Sequence, residues 1–179
     1  LVFGGGPVLT ANPEPFAPFF DVILLGDGEE LVPNFIDQVQ TLRQLPRSQK
    51  LHALSQIPGI YIPSLYSPQY NKEGTLLGVN PISTEIPISI AKQTWKGEKL
   101  SYSSVITPDS VWPNIYMLEV ARSCPELCRF CLASYLTLPF RSPSIKENII
   151  PFIEKGIQAT NRIGLLGASV TQHPEFVEL

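Results

Sequence analysis

The chain has 179 residues, 44% of them apolar and 16% charged, with a net charge of −3. This is enough to bury a sizeable core in one ordinary domain or in parts of two, and it contains no basic stripe that would neutralise a phosphate backbone; the run Arg43–Lys50 reads as a solvated helix end. No stretch approaches the roughly 18 continuous apolar residues of a membrane span, and no secretory signal is visible, so neither nucleic acid nor a membrane is signalled as a partner.

In chain order, Leu1–Phe3 reads as the end of a strand running into Gly4-Gly5-Gly6-Pro7. Because the chain opens inside an apolar run, it is expected to be a piece of a longer protein, cut at both ends. The segment 12–20 holds Pro13, Pro15 and Pro18 and allows at most a short helix. Asp21–Gly26 is a short run of branched apolar residues, suited to a buried parallel strand. After the turn Gly26-Asp27-Gly28 a helix is expected from Glu29. Leu31, Val32, Phe35, Ile36, Val39 and Leu42 recur at helical spacing, and Glu29 and Glu30 suit its positive end. Pro33 is compatible only in the first turn. Residues 1–45 thus read as strand–loop–strand–helix, the last units of an open α/β sheet.

Residues 46–113 contain eight prolines and no sustained helical period. Short β-like runs, Ile60–Ile62 and Ile86–Ile90, lie between them. So long a segment without strong elements reads as an extended interdomain linker. Order returns at 114–179. Ile115–Val120 is a strand leading into Ala121-Arg122-Ser123. Ser144 and Glu147 have capping-box spacing, and Ile149, Ile150, Ile153 and Ile157 continue a helical face. Pro151 within that face marks either a kink or a start. Ile163–Leu166 is the next strand. The order strand–loop–helix–strand is a βαβ unit, expected to be right-handed.

The three cysteines of the chain all lie between Cys124 and Cys131. An odd, clustered set is a poor disulfide framework and a good ligand set. A cubane iron–sulfur cluster takes one thiolate per iron, usually four. Three thiolates leave one iron open, as catalytic metal sites keep an open position. The alternatives are a zinc site completed by His173 or incidental buried thiols.

The pattern Cys124-x-x-x-Cys128-x-Phe130-Cys131 directly after a strand resembles the signature of the radical S-adenosylmethionine (radical SAM) superfamily. The segment Gly167-Ala168-Ser169-Val170-Thr171-Gln172-His173-Pro174-Glu175-Phe176 resembles that family's Gly-Gly-Glu-Pro segment, which runs on into His-Pro-Asp/Glu-Phe, with Pro174 and Phe176 in register; Ala168 and Ser169 stand where the second glycine and the glutamate would be. A packing loop with Pro174 opening a helix is the other reading. Gly4–Pro7, Asp21–Gly26 and Gly28-Glu29 resemble the C-terminal half of the cobalamin-binding domain found upstream in one radical SAM subfamily, although a plain tight turn explains the glycines equally well. Phe140–Ser142 and 163–176 also resemble that subfamily.

The resemblance implies an α/β chain in three parts. Residues 1–45 would be the C-terminal part of a Rossmann-like, B12-binding-type domain; 46–113 a long linker; 114–179 the first βαβ unit of a radical SAM (βα) barrel. It implies that Cys124, Cys128 and Cys131 hold a 4Fe–4S cluster and that S-adenosylmethionine binds its fourth iron. Reductive cleavage would give a 5′-deoxyadenosyl radical or, in cobalamin-dependent relatives, methyl transfer through the corrinoid. Phe130 would flank the adenine or shield the cluster, and Gly167, Ala168 and Ser169 would approach the amino group. Glu119 would point into the barrel or pair with Arg122. The partners implied are an unidentified substrate and an external one-electron donor, with cytoplasmic location inferred from free thiolates and an oxygen-sensitive cluster. A radical SAM enzyme whose upstream domain is a scaffold without corrinoid is the remaining alternative. The piece alone is expected to be inactive, because the missing strands would carry most substrate contacts.

Overall fold

The computed structural model describes residues 1–179. It divides into two compact units, Leu1–Trp95 and Lys96–Leu179. No helix is long and apolar enough to cross a membrane.

The first unit starts with strand β1 (Phe3–Gly5), a short helix α1 (Pro7–Ala11), a 3-10 helix over Glu14–Phe19 and strand β2 (Val22–Leu24). β1 and β2 pair in parallel, Phe3 opposite Val22. Gly4 is a packing requirement: a Cβ there would stand 2.6 Å from the ring of Phe20. Gly6, at φ +96°, makes the turn into α1. Helix α2 (Gly28–Thr41) follows, with Glu29 and Glu30 in its first turn. Leu31 and Phe35 are buried from it, and Val32, Val39 and Leu42 flank them. Ile36, expected on that face, is exposed. Pro33 lies beyond the first turn yet leaves the helix unbroken, at the loss of one amide donor in the second turn.

Residues 46–95, expected to be an extended connector, instead carry elements of this unit. Helix α3 (Arg47–Ser55) buries Leu51 and Leu54, and strand β3 (Ile60–Tyr61) adds antiparallel to β2. Strands β4 (Tyr66–Tyr70) and β5 (Leu76–Pro81) form a hairpin, its turn held by Asn71, whose Oδ1 accepts from the Glu73 and Thr75 amides. Prolines suit this edge hairpin because such strands do not need every amide. The run 86–90 forms no strand, although Ile86 is buried against Ile23, Tyr61 and Tyr66. The sheet β1–β2–β3 is therefore mixed, not wholly parallel.

The second unit holds strands β6 (Tyr116–Glu119) and β7 (Ile163–Leu166), paired in parallel with Tyr116 opposite Ile163. Between them run α4 (Leu132–Leu136), a π-turn over Ile145–Ile149 and α5 (Ile150–Ile157). This is the expected βαβ order in a two-stranded sheet, with no closed barrel. Ser144 caps the π-turn by accepting from the Glu147 amide at 3.4 Å. The helical face departs from expectation: Ile149 is buried and Ile153 packs on the core, but Ile150 and Ile157 are exposed. The wide turn places one extra residue per turn and so rotates the stripe before Pro151 enters α5. Alternate residues of β6, Tyr116 and Leu118, join Val120, Ile145 and Ile149 in the core.

Candidate functional site

The cysteine loop leaves the C-terminal end of β6. Arg122 and Arg141 close its neck, each amide donating to the other's carbonyl at 2.9 Å. Residues 123–140 thus leave and return at one point. Inside the neck, Ser123 is buried in the left-handed region (φ +70°), and its hydroxyl donates to the Ser134 carbonyl at 2.9 Å. Leu127, also left-handed at φ +46°, accepts at its carbonyl from the Tyr135 hydroxyl at 2.8 Å. The Arg141 guanidinium donates to the carbonyls of Thr137 and Pro139 at 2.6 and 3.1 Å. Helix α4 is thereby tied to the cysteine segment at Ser123 and Leu127. Arg141, Ser134 and Tyr135 carry no motif of their own, so spacing alone does not single them out.

All three cysteines are free; Cys128 is exposed, and Cys124 and Cys131 are partly covered. The Cys131 amide donates to the Cys128 carbonyl at 2.9 Å, a tight turn that keeps these two residues adjacent. Ser134 donates to Cys131 Sγ at 3.5 Å. That hydroxyl, with the backbone amides of Ser134 and Ala133, holds the Cys131 thiol below its ordinary range against a smaller opposing effect of burial. Three free soft donors on one loop, one biased toward thiolate, suit an iron–sulfur cluster. The side chains are not gathered into a group that could hold a metal ion.

Phe130 is 92% exposed, so it does not serve as a core aromatic. Gly167 lies at the end of β7, where a Cβ would meet the Ala121 carbonyl at 3.0 Å; it brings the β7 exit against the residue that precedes the cysteine neck. Ala168 is exposed and Ser169 partly so. Glu119 pairs with Arg122.

His173 is buried, and both ring nitrogens are engaged. Nδ1 accepts from the Glu175 amide at 3.1 Å, which leaves Nε2 as the donor to the Pro143 carbonyl at 2.9 Å. No lone pair remains for zinc, so the fourth ligand that a zinc site would draw from His173 is not offered. The Glu175 carboxylate accepts from the Ile145 amide at 3.0 Å. The segment His173–Glu175 thus clasps the start of the π-turn, and Pro174 opens no helix.

The first unit bears on the corrinoid. In open α/β sheets cofactors lie beyond the carboxyl ends of the strands. At that end of β2 the chain's own segment 91–95 is seated. Gln93 donates to the Leu25 carbonyl and accepts from the Asp27 amide, both at 2.9 Å, and the Trp95 amide donates to Asp27 Oδ2 at 2.8 Å. The Gly26 amide donates to Thr10 Oγ1 at 3.0 Å. Gly26, at φ +106°, has Gln93 so near that a Cβ would stand 2.1 Å from its carbonyl oxygen. Gly26 thus admits a segment of the same chain and leaves no room there for a corrinoid tail, whereas Gly6, at the end of β1, faces open space.

The whole chain is similar to an uncharacterized protein of Methanocaldococcus jannaschii, 22% identical over 183 residues that cover 100% of this chain and 34% of the relative. The chain therefore spans about a third of the length of the relative it matches. No solved structure matches it. Residues 1–63 match the family model described as radical SAM proteins, N-terminal.

Proposed function

We propose that this chain is the cofactor-bearing part of a radical SAM enzyme, with Cys124, Cys128 and Cys131 as the ligands of a 4Fe–4S cluster and S-adenosylmethionine at the iron they leave open. One observation carries the reading: the only three thiols of the chain stand free on a single loop, pinched at Arg122 and Arg141, at the C-terminal end of the first strand of a βαβ unit. The match of residues 1–63 to the radical SAM N-terminal model supports it from the other end of the chain. When bound, such a cluster supplies the electron for reductive cleavage of S-adenosylmethionine to a 5′-deoxyadenosyl radical.

The chain's own residues have separate tasks. Ser134 keeps Cys131 inclined to ionise. The Cys128–Cys131 turn keeps two of the proposed ligands close along the backbone. Phe130 projects from the loop as an apolar plate for the adenine ring. Gly167, Ala168 and Ser169 offer backbone at the end of β7, where carbonyls can accept from the amino group of S-adenosylmethionine. An external electron donor and a substrate complete the reaction in the full-length protein.

Anaerobic reconstitution with iron and sulfide, followed by reduction and electron paramagnetic resonance with and without S-adenosylmethionine, tests this. A 4Fe–4S signal that shifts with S-adenosylmethionine and is lost in Cys128→Ala is the expected result. Tight stoichiometric zinc without a cluster would refute it.

The seating of 91–95 at the end of β2 favours an upstream domain that acts as a scaffold without corrinoid. Hydroxocobalamin titrated into the purified chain should leave its visible spectrum unchanged. A stoichiometric spectral change would restore the corrinoid reading.

A further inference from the structure

We propose that the Glu119–Arg122 ion pair is a positioning clamp for the cysteine loop, setting the direction in which the chain leaves β6. This rests on the ligand reading above, because the direction of the loop matters to function only if its thiols act as a set.

Residues three apart in an extended strand point to opposite faces. Glu119 and Arg122 can meet only if the backbone bends between them, at the fully buried Val120 and Ala121. They do meet, in a two-pronged fork: Arg122 Nε donates to Glu119 Oε1 at 2.7 Å and Nη2 to Oε2 at 2.6 Å. A fork of this kind fixes orientation as well as distance.

The pair is anchored from outside the strand as well. Ser101 donates its amide to Glu119 Oε2 and accepts from Arg122 Nη2 at its hydroxyl, both at 3.2 Å. The Glu119 amide in turn donates to the Ser101 carbonyl at 2.8 Å. The two side chains are only 17% and 11% exposed. An exposed ion pair would hold little; an enclosed, forked one loses a partner at real cost, because the other charge stays behind uncompensated. Two residues past Arg122 stands Cys124, and Arg122 itself forms one side of the neck with Arg141. The chain's exit from β6 into the loop therefore passes through this fork.

The test compares wild type with Glu119→Gln and Arg122→Lys. Glu119→Gln keeps the shape but loses the second acceptor; Arg122→Lys keeps the charge but not the fork. Hydrogen exchange of the apo chain is read over residues 123–140, and iron content and the electron paramagnetic resonance spectrum after reconstitution. Loss of a charge-assisted bond should speed loop exchange about tenfold, with exchange in α2 unchanged. Iron retention should fall below half, and the signal that remains should broaden. Glu119→Asp, which keeps both acceptors on a shorter stem, should recover part of each. Ser101→Ala removes one hydroxyl contact and is the variant to read if the others fail to fold; it should speed loop exchange about fivefold. Wild-type exchange and a wild-type spectrum in Glu119→Gln and Arg122→Lys would overturn the clamp. Wild type that takes up no iron would instead overturn the ligand reading, and loop exchange would then decide the clamp alone.

Discussion

Gly156 of α5 lies flat against the ring of Tyr116 on β6: a Cβ at position 156 would stand 2.4 Å from ring Cδ1. Two effects oppose each other at this site. Alanine in a helix interior is favoured over glycine by about 1 kcal/mol, but overpacking a close contact with a buried ring costs about 1–3 kcal/mol. The clash wins, because Tyr116 is 3% exposed and cannot swing away. Gly156→Ala should therefore lower the unfolding free energy, by up to about 2 kcal/mol net. The Tyr116 hydroxyl is buried without a hydrogen-bond partner, so Tyr116→Phe should be neutral or stabilising by up to about 1 kcal/mol. Urea denaturation of the two variants checks both signs.

Three tyrosines should resist alkaline titration. Burial raises Tyr61 above the ordinary value of 10, and its hydrogen bond to Glu14 adds to the rise. Burial also raises Tyr66, and Tyr116 is raised by burial and then by Tyr102. Each folded value lies above the unfolded one, so the fold favours the neutral phenol. That contribution is fully present below about pH 10 and is lost as pH climbs toward the folded values. Absorbance titration should show these phenols ionising late, together with loss of far-ultraviolet circular dichroism. Normal ionisation of all tyrosines with the fold intact would contradict this.

Cys131 should be alkylated faster in wild type than in Ser134→Ala. The hydroxyl of Ser134 lowers the Cys131 thiol, so the thiolate is populated at pH values below the usual thiol midpoint of about 8.5. Removing the hydroxyl shifts the titration up. The difference in iodoacetamide rate should be largest near neutral pH and vanish above the thiol range, where both forms are ionised. Peptide mapping of the modified chain reads it directly. Equal rates at pH 7 would show that Ser134 does not act on the sulfur.

Phe130 should separate stability from cofactor binding. At 92% exposure it contributes little packing, so Phe130→Ala should change the unfolding free energy by no more than about 0.5 kcal/mol. If the ring stacks on adenine, the same variant should keep its iron yet lose most of the spectral shift that S-adenosylmethionine produces. Loss of stability without loss of the shift would place Phe130 in the fold and not at the cofactor.

Much of the chain was legible from local pattern. The run Val22–Leu24 is uniformly apolar because both faces of that strand are buried. Helix α2 follows its period and its acidic first turn, and the Ser144 cap follows its spacing to Glu147. Strands β6 and β7 stand where branched and aromatic runs put them. The cysteine set needs no fold to be singled out, because donor type and spacing are local facts. These features depend on residues within about one or two turns of each other, where period and capping operate.

What the sequence leaves open lies in pairings between distant residues. Helix α3 has a weak stripe and is held by Leu51 and Leu54 against strands and helices formed elsewhere. Gln93 reaches the end of β2 across a long stretch of chain, so its seat at Gly26 has no local signature. The neck between Arg122 and Arg141, and the engagement of His173 by Pro143, likewise form only when separate segments close on each other. Such closures are set by the balance of chain entropy against burial over the whole unit. Residue type and spacing picked out the three cysteines; long-range packing set the neck of their loop, engaged both ring nitrogens of His173 and seated Gln93 against Gly26.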